Sequence, residues 1–186
     1  MFTIADLEQL QAEHPEWQME LVDGSILVMG PSDYISEEIG AELIRLLGNW
    51  VRPRKLGRVT GSSAGFILPS LETNHEKRNL RAPDVSFLRA DRLKTSKRDF
   101  VELVPDLMVE IKSKSDRVKT LEEKIQLFLE LGCTVGILID PDELILKVYR
   151  LNQAPVILQN NDKLTLPDLL PGWELTISEL WPPVFE

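Results

Sequence analysis

A chain of 186 residues, 43% hydrophobic and 27% charged, has the make-up of one globular domain long enough to bury a sizeable core. Its longest apolar runs are far short of a membrane span, and the acid-bearing segment from Met1 to Ala12 has no Lys or Arg, so neither a transmembrane helix nor a signal peptide is expected and cytoplasm is the default compartment. The net charge of −9 argues against a generic nucleic-acid binder, yet residues 45 to 119 hold 17 Lys or Arg against 9 Asp or Glu, while the flanks hold 4 against 21.

Thr3 is placed to cap a short helix from Ile4 to about Glu13, with Leu7 and Leu10 inward. Gln18 to Val22 and Ser25 to Met29 read as a hairpin across Asp23-Gly24, a dipeptide that favours a type I′ turn. Ile35, Ile39, Leu43, Leu46 and Trp50 recur at helical spacing and predict a longer helix from about Ser36 to Val51. Val59 to Leu68 reads as one strand, bulged at its Gly-Ser-Ser-Ala-Gly stretch, and residues 70 to 81 as a polar loop with His75 facing solvent. Two strands, one beginning at Asp84 and one over Leu107 to Ile111, separated by a charged connection to about Glu102, then form the middle of a sheet.

Thr120 with Glu123 has the spacing of a capping box, opening a helix that carries Leu121, Ile125, Phe128 and Leu129 inward and ends at Gly132. The single cysteine, Cys133, excludes an internal disulfide and reads as a small buried thiol. Val135 to Ile139 is a short buried strand, Pro141-Asp142 a turn, and Leu144 to Leu151 a more exposed antiparallel strand. From Pro155 to Glu186 further small strands are closed by Trp173 and Trp181. The order is that of a single mixed α/β domain, residues 1–186, with antiparallel pieces at both ends.

The stretch from Pro105 to Lys112 puts a carboxylate and an ammonium two residues apart on an apolar strand. Because strand side chains alternate, Glu110 and Lys112 emerge on one side roughly 6 to 7 Å apart, while Leu107, Val109 and Ile111 face the other way. A carboxylate suits Mg²⁺, which is held by one or two such groups plus waters and substrate phosphate, so Glu110 needs a partner. Asp106 is on the same face but ~13 Å away. Asp84 is the better candidate, since its strand can lie alongside. Two carboxylates and a lysine are a minimal set for metal-assisted phosphodiester cleavage, the ion activating water and Lys112 orienting it or neutralising developing charge. Basic clusters at Arg52, Arg54, Lys55 and Arg58, at Lys77, Arg78 and Arg81, at Arg92, Lys94, Lys97 and Arg98, and at Lys112, Lys114, Arg117 and Lys119 bracket these positions and could offset phosphate charge. The plainer alternative makes Asp84 a turn residue, Glu110 and Lys112 a solvated strand face, and each basic cluster a solvated loop.

Pro83-Asp84, followed after 25 intervening residues by Glu110-Ile111-Lys112, resembles the signature of the PD-(D/E)xK nuclease superfamily. Met19 to Gly24, Arg81 to Val85, Ser113 to Asp116 and Lys124 to Phe128 are similar to segments of a family of small bacterial stand-alone proteins described as restriction-endonuclease-like. The resemblance implies a restriction-endonuclease-like mixed central sheet flanked by helices, a Mg²⁺ or Mn²⁺ site at Asp84 and Glu110, Lys112 as catalytic partner and Glu20 as a fourth site residue. Glu38 and Glu42, one turn apart on the long helix, stand where some members place an auxiliary carboxylate, but read more simply as surface residues. Lys124 either reaches the phosphate from its helix or forms a solvated i to i+4 pair. Ser36 stands where many relatives have a histidine. The expected function is a metal-dependent endonuclease acting on DNA, with a homodimer the easiest route to two-strand cleavage. The alternatives are a catalytically silent nuclease-fold module for binding or assembly, and hydrolysis of a small phosphorylated molecule.

Overall fold

In a computed structural model, residues 1–70 and 78–186 are described; the expectation for His75 falls outside them. Helix α1 (Ile4–Glu13) opens on a reciprocal cap, the Thr3 hydroxyl accepting from the Asp6 N–H at 3.3 Å and Asp6 accepting from the Thr3 N–H at 2.7 Å. Strands β1 (Gln18–Val22) and β2 (Ser25–Met29) pair across Asp23 and Gly24, whose φ angles of 48° and 76° meet the demand of a type I′ turn.

Helix α2 (Tyr34–Arg54) is longer than expected at both ends, capped by Asp33, which accepts from the Ser36 N–H, and closed by Lys55 in the left-handed conformation. Its buried face is Ser36, Ile39, Gly40, Leu43, Leu47 and Val51, so the predicted stripe is rotated: Ile35 is exposed, while Leu46 and Trp50 are only partly covered. Gly40 is part of that inward face, where a side-chain carbon would stand 3.3 Å from the Ile111 side chain. The predicted strand from Val59 to Leu68 is instead two, β3 (Gly57–Gly61) and β4 (Phe66–Leu68), in different sheets. The glycine-serine stretch is the crossing between them, not a bulge. The end of the predicted polar loop is strand β5 (Asn79–Arg81), with Leu80 buried.

The remaining elements are β6 (Val85–Arg89), β7 (Leu107–Ile111), α3 (Val118–Glu130), β8 (Val135–Asp140), β9 (Ile145–Tyr149), β10 (Val156–Leu158), β11 (Lys163–Thr165), β12 (Glu174–Thr176) and a 3-10 turn, Ile177–Leu180. A six-stranded sheet in the order β10-β9-β8-β7-β6-β3 is antiparallel except for β7 and β8, which run parallel and are joined through α3. A second sheet has the order β2-β1-β5-β4, and β11 pairs with β12. This is the mixed sheet with flanking helices and antiparallel ends that the sequence leads one to expect.

Both faces of the six-stranded sheet are covered. Leu43 and Leu47 of α2, with Leu164 and Trp173 from the C-terminal segment, join Val85, Phe87, Val109 and Ile111 in one core. Leu121, Ile125, Phe128 and Leu129 of α3 join Met108, Leu138 and Cys133 in another. The charged face of β7 is therefore roofed by a helix, not open. Gly136 permits this close docking, for a side-chain carbon there would lie 2.4 Å from Ile125. Strand β9 is antiparallel to β8 and more exposed than it, as expected, with Ile145 and Lys147 part-exposed and Leu146 and Val148 buried beside a wholly buried β8. One further expectation is corrected. The capping box at Thr120 is absent: α3 begins a turn earlier, after Arg117, with no side-chain cap. No helix among the described residues is long and apolar enough to cross a membrane.

Candidate active site

Strands β6 and β7 pair antiparallel with Val85 opposite Val109, which sets Asp84 and Glu110, one residue beyond, across from each other. Asp84 is held at the strand end by the Ile111 N–H, which donates to its Oδ2 at 2.7 Å. Glu110 lies beneath α3 and is only 4% exposed. Into the same space α3 delivers Lys124, whose Nζ is 2.9 Å and 3.1 Å from the two Glu110 oxygens and donates at 3.1 Å both to Glu20 Oε1 and to the Ala82 carbonyl. Three acceptors around one ammonium use all its donors.

Glu20 comes from the other sheet. Its Oε1 also accepts from the Ala82 N–H at 2.7 Å, and its Oε2 lies 2.8 Å from Arg81 Nε. The group is thus Glu20 and Arg81 from β1 and β5, Asp84 and Glu110 from the β6–β7 end, and Lys124 from α3, at one end of a cleft of about 540 Å³. Two further acids, Glu37 and Asp116, also line that cleft, making five carboxylates against the two cations Arg81 and Lys124.

Burial, with a lesser contribution from the neighbouring carboxylates, governs the titration of the site. Burial pushes the Glu110 carboxyl up to about 8 despite the adjacent Lys124, and burial likewise raises Asp84. Burial disfavours the charged form of Lys124, but Glu110 and Glu20 outweigh it and hold the ammonium above its ordinary range. Glu110 Oε1 is buried without a hydrogen bond of good geometry, although the ammonium stands close. Facing carboxylates that resist ionisation, one with an orphaned oxygen, in an acid-rich cleft, fit a divalent cation. Among the described residues no three His, Cys, Asp or Glu side chains form a complete metal cage. Mg²⁺ is ordinarily bound by one or two carboxylates, with water and phosphate filling the other positions.

Of the residues singled out from sequence, the structure brings together Asp84, Glu110 and Glu20, but not Lys112. Strand β7 ends at Ile111, and the Lys112 side chain turns to the β8–β9 corner, where its Nζ bonds Asp142 and lies 3.9 Å from Asp140. The hydrogen bond to Asp142 raises its pKa. Lys124, left open in the sequence between the site and a solvated pair, lies against Glu110 and Glu20. The solvated-pair alternative for Lys124 fails, since its side chain is only 10% exposed. One signal for it was present: positions 121, 124, 125 and 128 form a single helical face, so this lysine interrupts an apolar stripe. Glu42 pairs with Arg45 at the surface, and neither it nor Glu38 lines the cleft, whereas Glu37 does. Ser36 fixes the site's edge, its hydroxyl bonding Asp33 and the Lys112 carbonyl. Asp106, at the far end of β7, is buried against Arg92 at 2.9 Å and the Arg89 N–H at 2.9 Å.

The family model for Uma2, described as "Putative restriction endonuclease", matches residues 4–178. No curated protein matches the chain. Among solved structures, the crystal structure of "a putative nuclease belonging to DUF820" from Anabaena variabilis superposes with a TM-score of 0.80 and 20% identity, over 97% of each chain. That likeness is one of fold. With the Uma2 match spanning almost its whole length, and the strand-end carboxylates in place, the chain belongs to the Uma2 family of restriction-endonuclease-like proteins.

Proposed function

We propose that this chain is a divalent-metal-dependent endonuclease that hydrolyses phosphodiester bonds in DNA. The observation that carries the reading is the facing pair Asp84 and Glu110 with the Lys124 ammonium wedged beside it. Asp84 and Glu110 would hold Mg²⁺ or Mn²⁺, which when bound supplies a Lewis acid and a water of lowered pKa. Lys124, its three donors taken by Glu110, Glu20 and the Ala82 carbonyl, supplies a fixed positive charge next to that position, acting on the anionic phosphate through its field. Glu20 and the Ala82 carbonyl orient it, and Arg81 balances Glu20. Lys112, engaged by Asp142, is assigned no part in the reaction. Of the basic stretch from residue 45 to 119, only Arg81 among the described residues lines the cleft, so its other described cations would meet DNA outside it. A homodimer would let two such clefts act on the two strands.

Nicking of supercoiled plasmid by the purified protein, with Mg²⁺ or Mn²⁺ and with EDTA, tests this. Asp84→Asn and Glu110→Gln should abolish cleavage, and Lys124→Met should lower it by about 10²-fold or more. Lys112→Ala should retain it. Loss of activity in Lys112→Ala with retention in Lys124→Met would reverse the lysine assignment. Absence of both cleavage and divalent-ion binding would leave a silent nuclease-fold module.

A further inference from the structure

A second cavity, about 450 Å³, lies on the α3 side of the six-stranded sheet, over the β3–β6 edge that α3 does not cover. Thr60 of β3 pairs with Ser86 of β6, and Ser86 with Met108, so both hydroxyls share the face that α3 covers farther along the sheet. They form the floor, their oxygens 2.5 Å apart. One hydrogen bond between them consumes one hydroxyl proton, and the other proton has no acceptor among the described residues. Leu88, Leu93 and Phe100 give apolar walls, and the exposed Lys97 and Arg98 line the cavity with no ion pair among the described residues, beside one exposed acid, Asp99, which accepts from the Phe100 N–H. Arg58 secures the roof by donating to the Leu93 and Lys94 carbonyls and to Ser96 Oγ. The turn between β3 and β4 separates this cavity from the cleft, with Ser62 lining the cleft and Ser63 the cavity.

We propose that this cavity binds a single unpaired nucleotide, its base against the Thr60 and Ser86 hydroxyls and beside Phe100, its phosphate toward Lys97 and Arg98. The size is that of a small-ligand site. A wholly apolar ligand would leave the floor hydroxyls unanswered, and a bare phosphate would leave the apolar walls wet. A base carrying a phosphate satisfies floor, walls and cations together. Its source is either a free mononucleotide or a nucleotide turned out of a strand lying in the neighbouring cleft; the latter rests on the nuclease reading.

Binding to the full chain in EDTA, where cleavage is never read, tests the cavity independently of that reading. The free probes are the four deoxynucleoside monophosphates, deoxyadenosine and inorganic phosphate, followed by calorimetric titration. The strand probe is an oligonucleotide duplex with one bulged 2-aminopurine, followed by fluorescence. At least one monophosphate should bind, with the nucleoside or phosphate alone about tenfold weaker or worse. Thr60→Val with Ser86→Ala should weaken binding by about tenfold. The exposed pair Lys97→Ala and Arg98→Ala should remove the advantage of the phosphorylated probe. A 2-aminopurine response lost in both variants, without free-nucleotide binding, assigns the strand as source; the converse assigns the free nucleotide. If both probes bind and lose affinity in both variants, the cavity accepts either. If neither probe binds, or binding is unchanged in both variants, the inference is overturned.

Discussion

Replacing Lys124 with Met keeps the length and most of the packing of the side chain but removes its charge and its three donors. Left behind are the Ala82 carbonyl, a Glu110 carboxyl with no other hydrogen-bond partner, and a Glu20 that retains Arg81 and the Ala82 N–H. Breaking a buried ionic group by deleting one member costs on the order of 3–5 kcal/mol, and the 10% exposure of Lys124 places it in that class. Lys112 is a milder comparison: its side chain is 14% exposed and also nears Asp140, but its hydrogen-bonded partner Asp142 is 69% exposed, so losing that pair should cost about 1 kcal/mol. Urea unfolding of the metal-free protein, with Lys124→Met and Lys112→Ala measured side by side, should show midpoints that differ accordingly at equal slope. Equal, small losses for the two variants would refute the buried network.

The Glu110 carboxyl gives the metal-free protein a pH dependence. Its folded pKa of about 8 lies above the ordinary 4.5, so the stability it confers is complete below about pH 4.5 and is lost as pH rises through about 8. Between about pH 5 and pH 8 unfolding should become easier by on the order of 3 kcal/mol in EDTA, and Glu110→Gln should flatten the profile. Burial pushes the Cys133 thiol up to about 12, so a thiol reagent at pH 8 should label it only after denaturation; rapid labelling of the native protein would contradict its placement. Gly136→Ala should cost roughly 1–3 kcal/mol in thermal or urea unfolding, because the added carbon would overlap Ile125 on the helix that carries Lys124. Arg92→Ala should cost a similar ~1–3 kcal/mol through Asp106 while leaving plasmid nicking in place, since that pair sits at the opposite end of β7.

The two facing carboxylates were legible because their geometry follows from local rules. Strand alternation and the antiparallel pairing of neighbouring strands suffice to bring Asp84 opposite Glu110. The lysine was not, because alternation stops where the strand stops. Lys112 is the first residue beyond β7, and its direction is decided by Asp140 and Asp142, about thirty positions onward. Lys124 depends on partners 14, 42 and 104 residues away, distances that helical periodicity cannot see. The turn of α2 had a similar origin: Leu46 and Trp50 are larger than Ser36 and Gly40, yet the small pair faces inward, Gly40 close to Ile111 and Ser36 bonded to the Lys112 carbonyl. Nothing in the five small residues from Gly61 to Gly65 says that the chain is leaving one sheet for another, so β3 and β4 look like a single strand in the sequence.

Glu20 belongs to one sheet, while the ammonium it touches rides on a helix packed against the other. The contact is therefore a clasp between halves of the molecule, and the reactive arrangement exists only while they are seated together. A chain emerging from synthesis with its first 117 residues formed would carry all three carboxylates but no Lys124, which begins to arrive only with α3. The Lys124 contacts would thus form only after α3 has docked and would be lost if the sheets part.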